Sequence, residues 1–221
     1  MKSCATLYWP SNGGAGPHGR AGDDSMRKKK DPAPRSDPPD VRFRPVTVET
    51  LKDFADFRNA NPVFGACSCM RWRTHATPFS RLTAKDRAVA FDTLVGNGVP
   101  VGVLAYQGGI PIGWCSVAPR NTLPALKARW HPPGTDITRI WAVTCFYVDP
   151  RYRREGVSVR LLRAAVEYAR AEGAKVVEGY PVEPGNDQHA SAGFASTFRG
   201  AGFRDASFPG WTRRVMCNVL R

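Results

Sequence analysis

The chain has 221 residues, 42% of them hydrophobic, and a formal net charge of +13, a length that supports one well-buried domain and not comfortably two. No apolar run approaches the ~20 residues of a membrane-spanning helix, and the N-terminus lacks the apolar core of a signal peptide. Residues 1–40 carry seven Lys/Arg against five Asp, so the remainder holds 25 Lys/Arg against 14 Asp/Glu, a net +11 that draws polyanions such as phosphate-bearing ligands, acidic substrates or nucleic acid.

Residues 1–40 are rich in Gly, Pro and Asp, with the basic run Arg27–Lys30 and no apolar period. The composition predicts a disordered tail. Val41–Val48 alternates as a first strand. Val48–Phe57 reads as a helix, with Leu51, Phe54 and Phe57 at helical spacing. Asn61–Arg73 contains Cys67, Cys69 and Trp72. No second Cys pair or His-x-x-x-His completes a zinc site there, so no metal is expected. Leu82–Val95 is a second predicted helix, ended by Gly96 to Gly98. Val99–Tyr106 and Ile110–Val117 are predicted strands, joined by the hairpin signal Gln107, Gly108, Gly109. Pro119–Arg139 is a polar, proline-containing insert with a short helix expected around Leu123–Arg129, and His131 within it reads as a surface residue.

Ile140–Val148 is an apolar, aromatic and β-branched run of strand length, ended by Asp149 and Pro150. Arg151, Arg153 and Arg154 follow, then a helix whose apolar stripe is Leu161, Leu162, Ala165, Val166, Tyr168 and Ala169. Gly173 closes the helix, and Ala174–Val182 supplies the next strand. The unit reads as strand, basic turn, helix, strand. A helix N-terminus offers unpaired N–H groups and the positive end of a dipole. A glycine there lets phosphate approach the backbone, and arginines add charge-assisted hydrogen bonds. The turn is a candidate diphosphate cradle; the alternative is an ordinary helix start with solvated arginines. Further on, His189–Arg199 reads as a helix and Phe208–Leu220 holds a last strand. The cysteines Cys4, Cys67, Cys69, Cys115, Cys145 and Cys217 lie scattered, several within apolar strand patterns, as expected of free thiols in a reducing cytoplasm.

Arg153, Arg154, Glu155, Gly156, Val157 and Ser158 resemble the Arg/Gln-x-x-Gly-x-Gly/Ala signature of the GNAT superfamily of acyl-CoA N-acyltransferases. Gly113–Pro119 and Cys145–Val148 are similar to that superfamily's central strands, and Phe198–Phe203 to its late-helix ending. The resemblance covers roughly residues 41–221. It implies an α/β (α+β) fold: a single domain with a mixed central sheet of about six to seven strands, flanked by helices and splayed between the fourth and fifth strands. It further implies an acetyltransferase that uses acetyl-CoA or another acyl-CoA as co-substrate. In that case the backbone of Phe146, Tyr147 and Val148 would hold pantetheine, and the amides of Arg153–Ser158 the diphosphate. An amine would attack the thioester directly, with no covalent intermediate.

For a base, Glu178 is the candidate, on the strand bordering the expected cleft and on the same face as Tyr180. The alternative is a structural pair between Glu178 and an arginine. Acceptor-pocket candidates implied by the comparison are Cys67, Cys69 and Trp72, together with Trp114 and Ser116. Three departures stand out. Ser158 replaces the usual Gly/Ala. Glu155 sets a carboxylate near a diphosphate, which is tolerable if it faces solvent or pairs with Arg151. Phe198 stands where many relatives carry a tyrosine that protonates the leaving thiolate. The last two, with the +11 body, motivate an alternative on the same fold: use or modification of aminoacyl-tRNA, which releases a ribose hydroxyl instead of a thiolate. A non-catalytic nucleic-acid-binding domain is a further alternative, although no helix-turn-helix, zinc or RNP pattern supports it. The expected setting is cytoplasmic, with a dimer compatible with the sequence and the acceptor amine unread.

Overall fold

The computed structural model describes residues 40–74, 79–126, 136–183, 191–207 and 213–220. The expected tail, His131, His189 and part of the 119–139 insert lie outside these residues. The order is β1 (Val41–Pro45), α1 (Leu51–Asn59), α2 (Pro62–Gly65), α3 (Ala84–Gly96), β2 (Gly102–Gln107), β3 (Ile110–Pro119) and β4 (Ile140–Val148). It continues with α4 (Val157–Ala171), β5 (Val176–Gly179), α5 (Ala195–Gly200), β6 (Arg204–Asp205) and β7 (Met216–Val219). The strands form one seven-stranded sheet ordered β1-β2-β3-β4-β5-β7-β6. Every pairing is antiparallel except β4 with β5, the pair that α4 joins.

Local chemistry explains the elements. Thr83 and Asp86 form a reciprocal capping box that starts α3. Gly108 and Gly109 both take positive φ (56° and 81°), which the β2–β3 hairpin requires and glycine supplies at little cost. On α4 the predicted stripe is buried except for Tyr168, which is half-buried edge-on to Trp141, and Val157 is added at its start. The stripe packs on one face of the sheet with Ala105, Cys115 and Val117. Helices α1 to α3 cover the opposite face around Phe54, Phe91, Leu104 and Trp114. A smaller cluster with Ile140, Val176, Tyr180 and Cys217 lies at the β4–β5–β7 end.

Four expectations change. The helix foreseen from His189 begins at Ala195, because Gly193 takes φ 81° and Val182 pairs with Phe194 as an extended bridge. In place of a start at Leu123, a 3-10 turn spans Arg120–Thr122, and Leu123, kept out of helical backbone before Pro124 (φ −122°, ψ 68°), stops it. The strand foreseen to Val182 ends at Gly179, two residues before Pro181. Cys217 is disulfide-bonded, whereas Cys67, Cys69, Cys115 and Cys145 are free thiols. Helix α2 and strand β6, too short to show a period, were not foreseen.

Candidate functional site

Strands β4 and β5 pair only from Ile140 to Val143 on one side and from Val176 to Gly179 on the other. Beyond Val143, β4 runs on to Val148 paired with β3 alone. The β5-facing edge of Thr144–Val148 therefore has no strand partner among the described residues. Backbone N–H and C=O groups on such an edge need partners, and an extended amide-bearing chain can supply them. The splay sits between the fourth and fifth strands.

The edge runs straight into the basic turn. Asp149 caps a 3-10 turn at Pro150–Tyr152 by accepting from the Arg151 N–H (2.9 Å). Its carboxylate also pairs with the Arg151 guanidinium at 2.8 Å, which holds the Asp149 carboxyl below its ordinary range. Arg151 is thus committed to Asp149 and not to Glu155. Arg153 Nε donates to the Val148 carbonyl (2.9 Å), with its guanidinium 5.9 Å from the centre of the Tyr147 ring. Arg154 and Gly156 both take left-handed backbone, at φ 67° and 76°. Arg154 does so against the ordinary preference of a residue with a Cβ. Gly156 is the N-cap of the 15-residue α4 and offers no side chain to its first N–H groups. The turn therefore presents uncapped amides, a helix dipole and arginines on one side of the cleft.

A cavity of about 730 Å³ occupies the splay. Its floor is Cys145, Phe146, Tyr147 and Val148, and the turn contributes Arg153, Arg154, Gly156, Val157 and Ser158. Glu155 is exposed and does not line it. The opposite wall comes from Ser191, Gly193, Phe194 and Thr197. Phe64 and Cys67 close the far side. Phe64 stacks on Tyr147 (centroids 5.2 Å, planes 19° apart), and the Tyr147 hydroxyl donates to Asn61 Oδ1 at 2.9 Å. A rigid aromatic wall results.

The pocket candidates separate in space. Cys67 lines the cavity, and partial burial pushes its thiol up. Cys69 is buried behind the wall, accepts from Trp114 Nε1 (2.9 Å) and is hydrogen-bonded with Cys145; burial first, then that neighbour, push its thiol well above the ordinary range. Trp114 is wholly enclosed against Phe54 and Phe91. Ser116 is buried too, accepting from Thr144 (3.1 Å). Trp72 packs at the other cluster with Arg213 over its ring at 5.7 Å. These four do not line the cavity, because their strand or loop positions turn them into core.

Glu178 and Tyr180 do share a strand face, and the tyrosine hydroxyl donates to the carboxylate. Arg120 Nη1 reaches both, at 2.7 Å to Glu178 and 2.6 Å to Tyr180. All three side chains are buried, and none lines the cavity. The arginine-paired alternative is the arrangement present. Phe198 is likewise enclosed, edge-on to Phe146 and Phe203. Among the described residues, no group of three or more His, Cys, Asp or Glu could hold a metal. Phe64 and the 191–197 wall were not read as site residues from sequence. The wall residues fall inside the segment expected as a helix from His189, whose small residues carry little pattern, and no local motif marks Phe64.

No curated protein sequence matches the chain. Solved structures do, at low identity. Aminoglycoside acetyltransferase AAC(6')-Ib in complex with coenzyme A and kanamycin is similar at 16% identity and a TM-score of 0.51, over 81% of this chain and 95% of that one. The same enzyme with paromomycin and acetyl-CoA gives 17% and 0.50, over 81% and 93%. An N-acetyltransferase from Staphylococcus aureus Mu50 gives 16% and 0.49, over 82% and 99%. The model of the acetyltransferase (GNAT) family matches residues 67–198, more than half of the chain, from before the aromatic wall's last residue to the end of the cleft. The chain belongs to the GNAT acetyltransferase family.

Proposed function

We propose that the protein transfers an acetyl group from acetyl-CoA to an amine. The observation that carries this reading is one continuous surface: an unpartnered strand edge at Thr144–Val148 leading into uncapped amides and arginines at the start of α4. The residues fit the co-substrate. The β4 edge would pair the amides of its pantetheine arm, and Arg153, Arg154 and the amides of Gly156–Ser158 would hold its phosphates. Acetyl-CoA, when bound, supplies an activated acyl carbon. The amine nitrogen forms the new N–C bond, the C–S bond breaks, and the proton lost by the amine ends on the released thiol. Among the cavity hydroxyls, Ser191 and Thr197 on the wall opposite the β4 edge would donate toward that sulfur, in a site where Phe198 has none to offer. Glu178 is assigned to holding Arg120 and Tyr180 instead of to proton transfer. The same proposal puts the protein in the cytoplasm, which keeps the four free thiols reduced; the Cys217 disulfide argues the other way.

A calorimetric or thermal-shift titration with acetyl-CoA tests the reading. Ligand at about 100 times its dissociation constant stabilises by about 2.7 kcal/mol. A saturable shift that is lost in Gly156→Glu supports it; no shift at millimolar acetyl-CoA overturns it.

The aminoacyl-tRNA reading keeps one specific support, the net +11 outside residues 1–40 combined with an enclosed Phe198. It requires a steep loss of activity with salt and RNA that co-purifies. Activity indifferent to salt removes it.

A further inference from the structure

We infer that the acceptor is a monoamine with an apolar, aromatic body, and not a polycation. This rests on the acetyl-transfer reading and names the substrate class of that site.

The first argument is charge. Among the described residues that line the cavity, the charged ones are Arg153 and Arg154, and no Asp or Glu is present. Of the acids nearest in sequence to its walls, Glu155 is exposed outside the cavity and the others are paired. Asp149 is paired with Arg151, Glu178 with Arg120 and Glu183 with Arg214. The internal segments outside the described residues (75–78, 127–135, 184–190 and 208–212) add one acid in sequence, Asp187, against Lys127 and Arg129. An acceptor with several ammonium groups needs several counter-charges once water is removed. With Arg153 and Arg154 given to the co-substrate's phosphates, the described lining holds no carboxylate to pair with such an acceptor. A monoamine escapes the problem, because the form that attacks the thioester is the neutral one.

The second argument is the wall itself. Phe64 lies stacked on Tyr147, and the Tyr147 hydroxyl is tied to Asn61, so the rings are held in place and need no ordering on binding. Cys67 and Cys145 flank them with soft, weakly polar surface. Flat apolar bodies gain from such a wall through burial and stacking. With no carboxylate among the described residues that line the cavity, the acceptor's own titration sets the pH response. Transfer rises with pH until it reaches the acceptor's own ammonium pKa.

The test uses the full chain and begins with an acetyl-CoA titration, so that loss of binding, which would remove the activity itself, is read separately. Thiol release is then followed with 2-phenylethylamine, spermidine and L-aspartate. The expected result is a kcat/KM for 2-phenylethylamine about tenfold or more above that for spermidine at low salt, a preference worth about 1.4 kcal/mol. Cys67→Asp, which puts a carboxylate on the wall, should narrow that gap by raising the spermidine rate. Phe64→Ala should lower the 2-phenylethylamine kcat/KM about tenfold while the acetyl-CoA affinity holds within about twofold; Phe64→Leu serves if the alanine variant does not fold. Spermidine or L-aspartate turned over as well as 2-phenylethylamine would overturn the inference. So would intact acetyl-CoA binding with no transfer to 2-phenylethylamine.

Discussion

The ring of Phe198 occupies the space that a side chain on Gly179 would need: a Cβ there would lie 2.2 Å from Phe198 Cε1. Strand β5 and helix α5 approach this closely because one partner has no side chain and the other is flat. Gly179→Ala should therefore destabilise the protein by about 1–3 kcal/mol, as overpacking does, seen as a lower melting temperature. Phe198→Tyr puts a hydroxyl into the same enclosed space. We expect a stability loss of about 1–3 kcal/mol and no gain in kcat. A rise in kcat would show that the hydroxyl reaches the cleft.

Arg154 combines a left-handed backbone with a position on the cavity wall. The conformation costs roughly 1–2 kcal/mol for a residue with a Cβ and almost nothing for glycine. Arg154→Gly is expected to melt at the same temperature or higher, yet to bind acetyl-CoA about tenfold more weakly through loss of one charge-assisted contact. Denaturation and titration of the same preparation measure both. Weaker binding with unchanged or better stability is the pattern of a residue kept for its ligand.

The Arg120–Glu178–Tyr180 group is buried in the sheet. Removing one charge from a buried pair leaves the other uncompensated, so Glu178→Gln should cost about 3–5 kcal/mol. The double replacement Arg120→Leu with Glu178→Leu should recover much of that loss. If the group only holds structure, as proposed, the pH–rate profile of whatever Glu178→Gln protein folds should keep its shape. A lost alkaline-side rise would restore Glu178 as the base.

The thiols divide by exposure. Cys67 and Cys145 line the cavity, whereas Cys69 and Cys115 are sealed and have thiols pushed well above the ordinary range by burial. Iodoacetamide at neutral pH should label Cys67 and Cys145 alone among these four, with Cys67 slowed by its own raised value and faster at higher pH. Acetyl-CoA should protect both. Mass spectrometry of the labelled peptides reads every part of this.

Long periodic segments made most of the fold legible. The stripe from Leu161 to Ala169, the paired hairpin glycines and the apolar run Ile140–Val148 each leave one reading open, and each is present. The basic turn was legible for the same reason, since arginines and a glycine at a helix start have a chemical meaning independent of the rest of the fold. The pocket was harder. Cys69, Trp114 and Ser116 sit in residue order beside wall positions, but whether a side chain faces the cleft depends on strand alternation and on the bulge between Ser116 and Val117. A one-residue shift exchanges wall for core. Phe64 and Tyr147, 83 positions apart in sequence, meet only through the tertiary fold, and no local pattern announces such a pair.

A sheet of seven strands normally has two rims where a foreign strand could attach. This one has a third, along Thr144–Val148, inside its own body. Rims of that kind invite association between molecules, and proteins blunt them with charge, proline or cover. Here the neighbouring segments do the covering: the arginine turn closes one end and the residues around Gly193 and Thr197 lie across the gap. A cleft covered in this way suits a slender, unbranched chain better than a polypeptide strand that carries side chains on both faces. The cover that shapes the cleft is therefore also what blunts an edge left open inside the sheet.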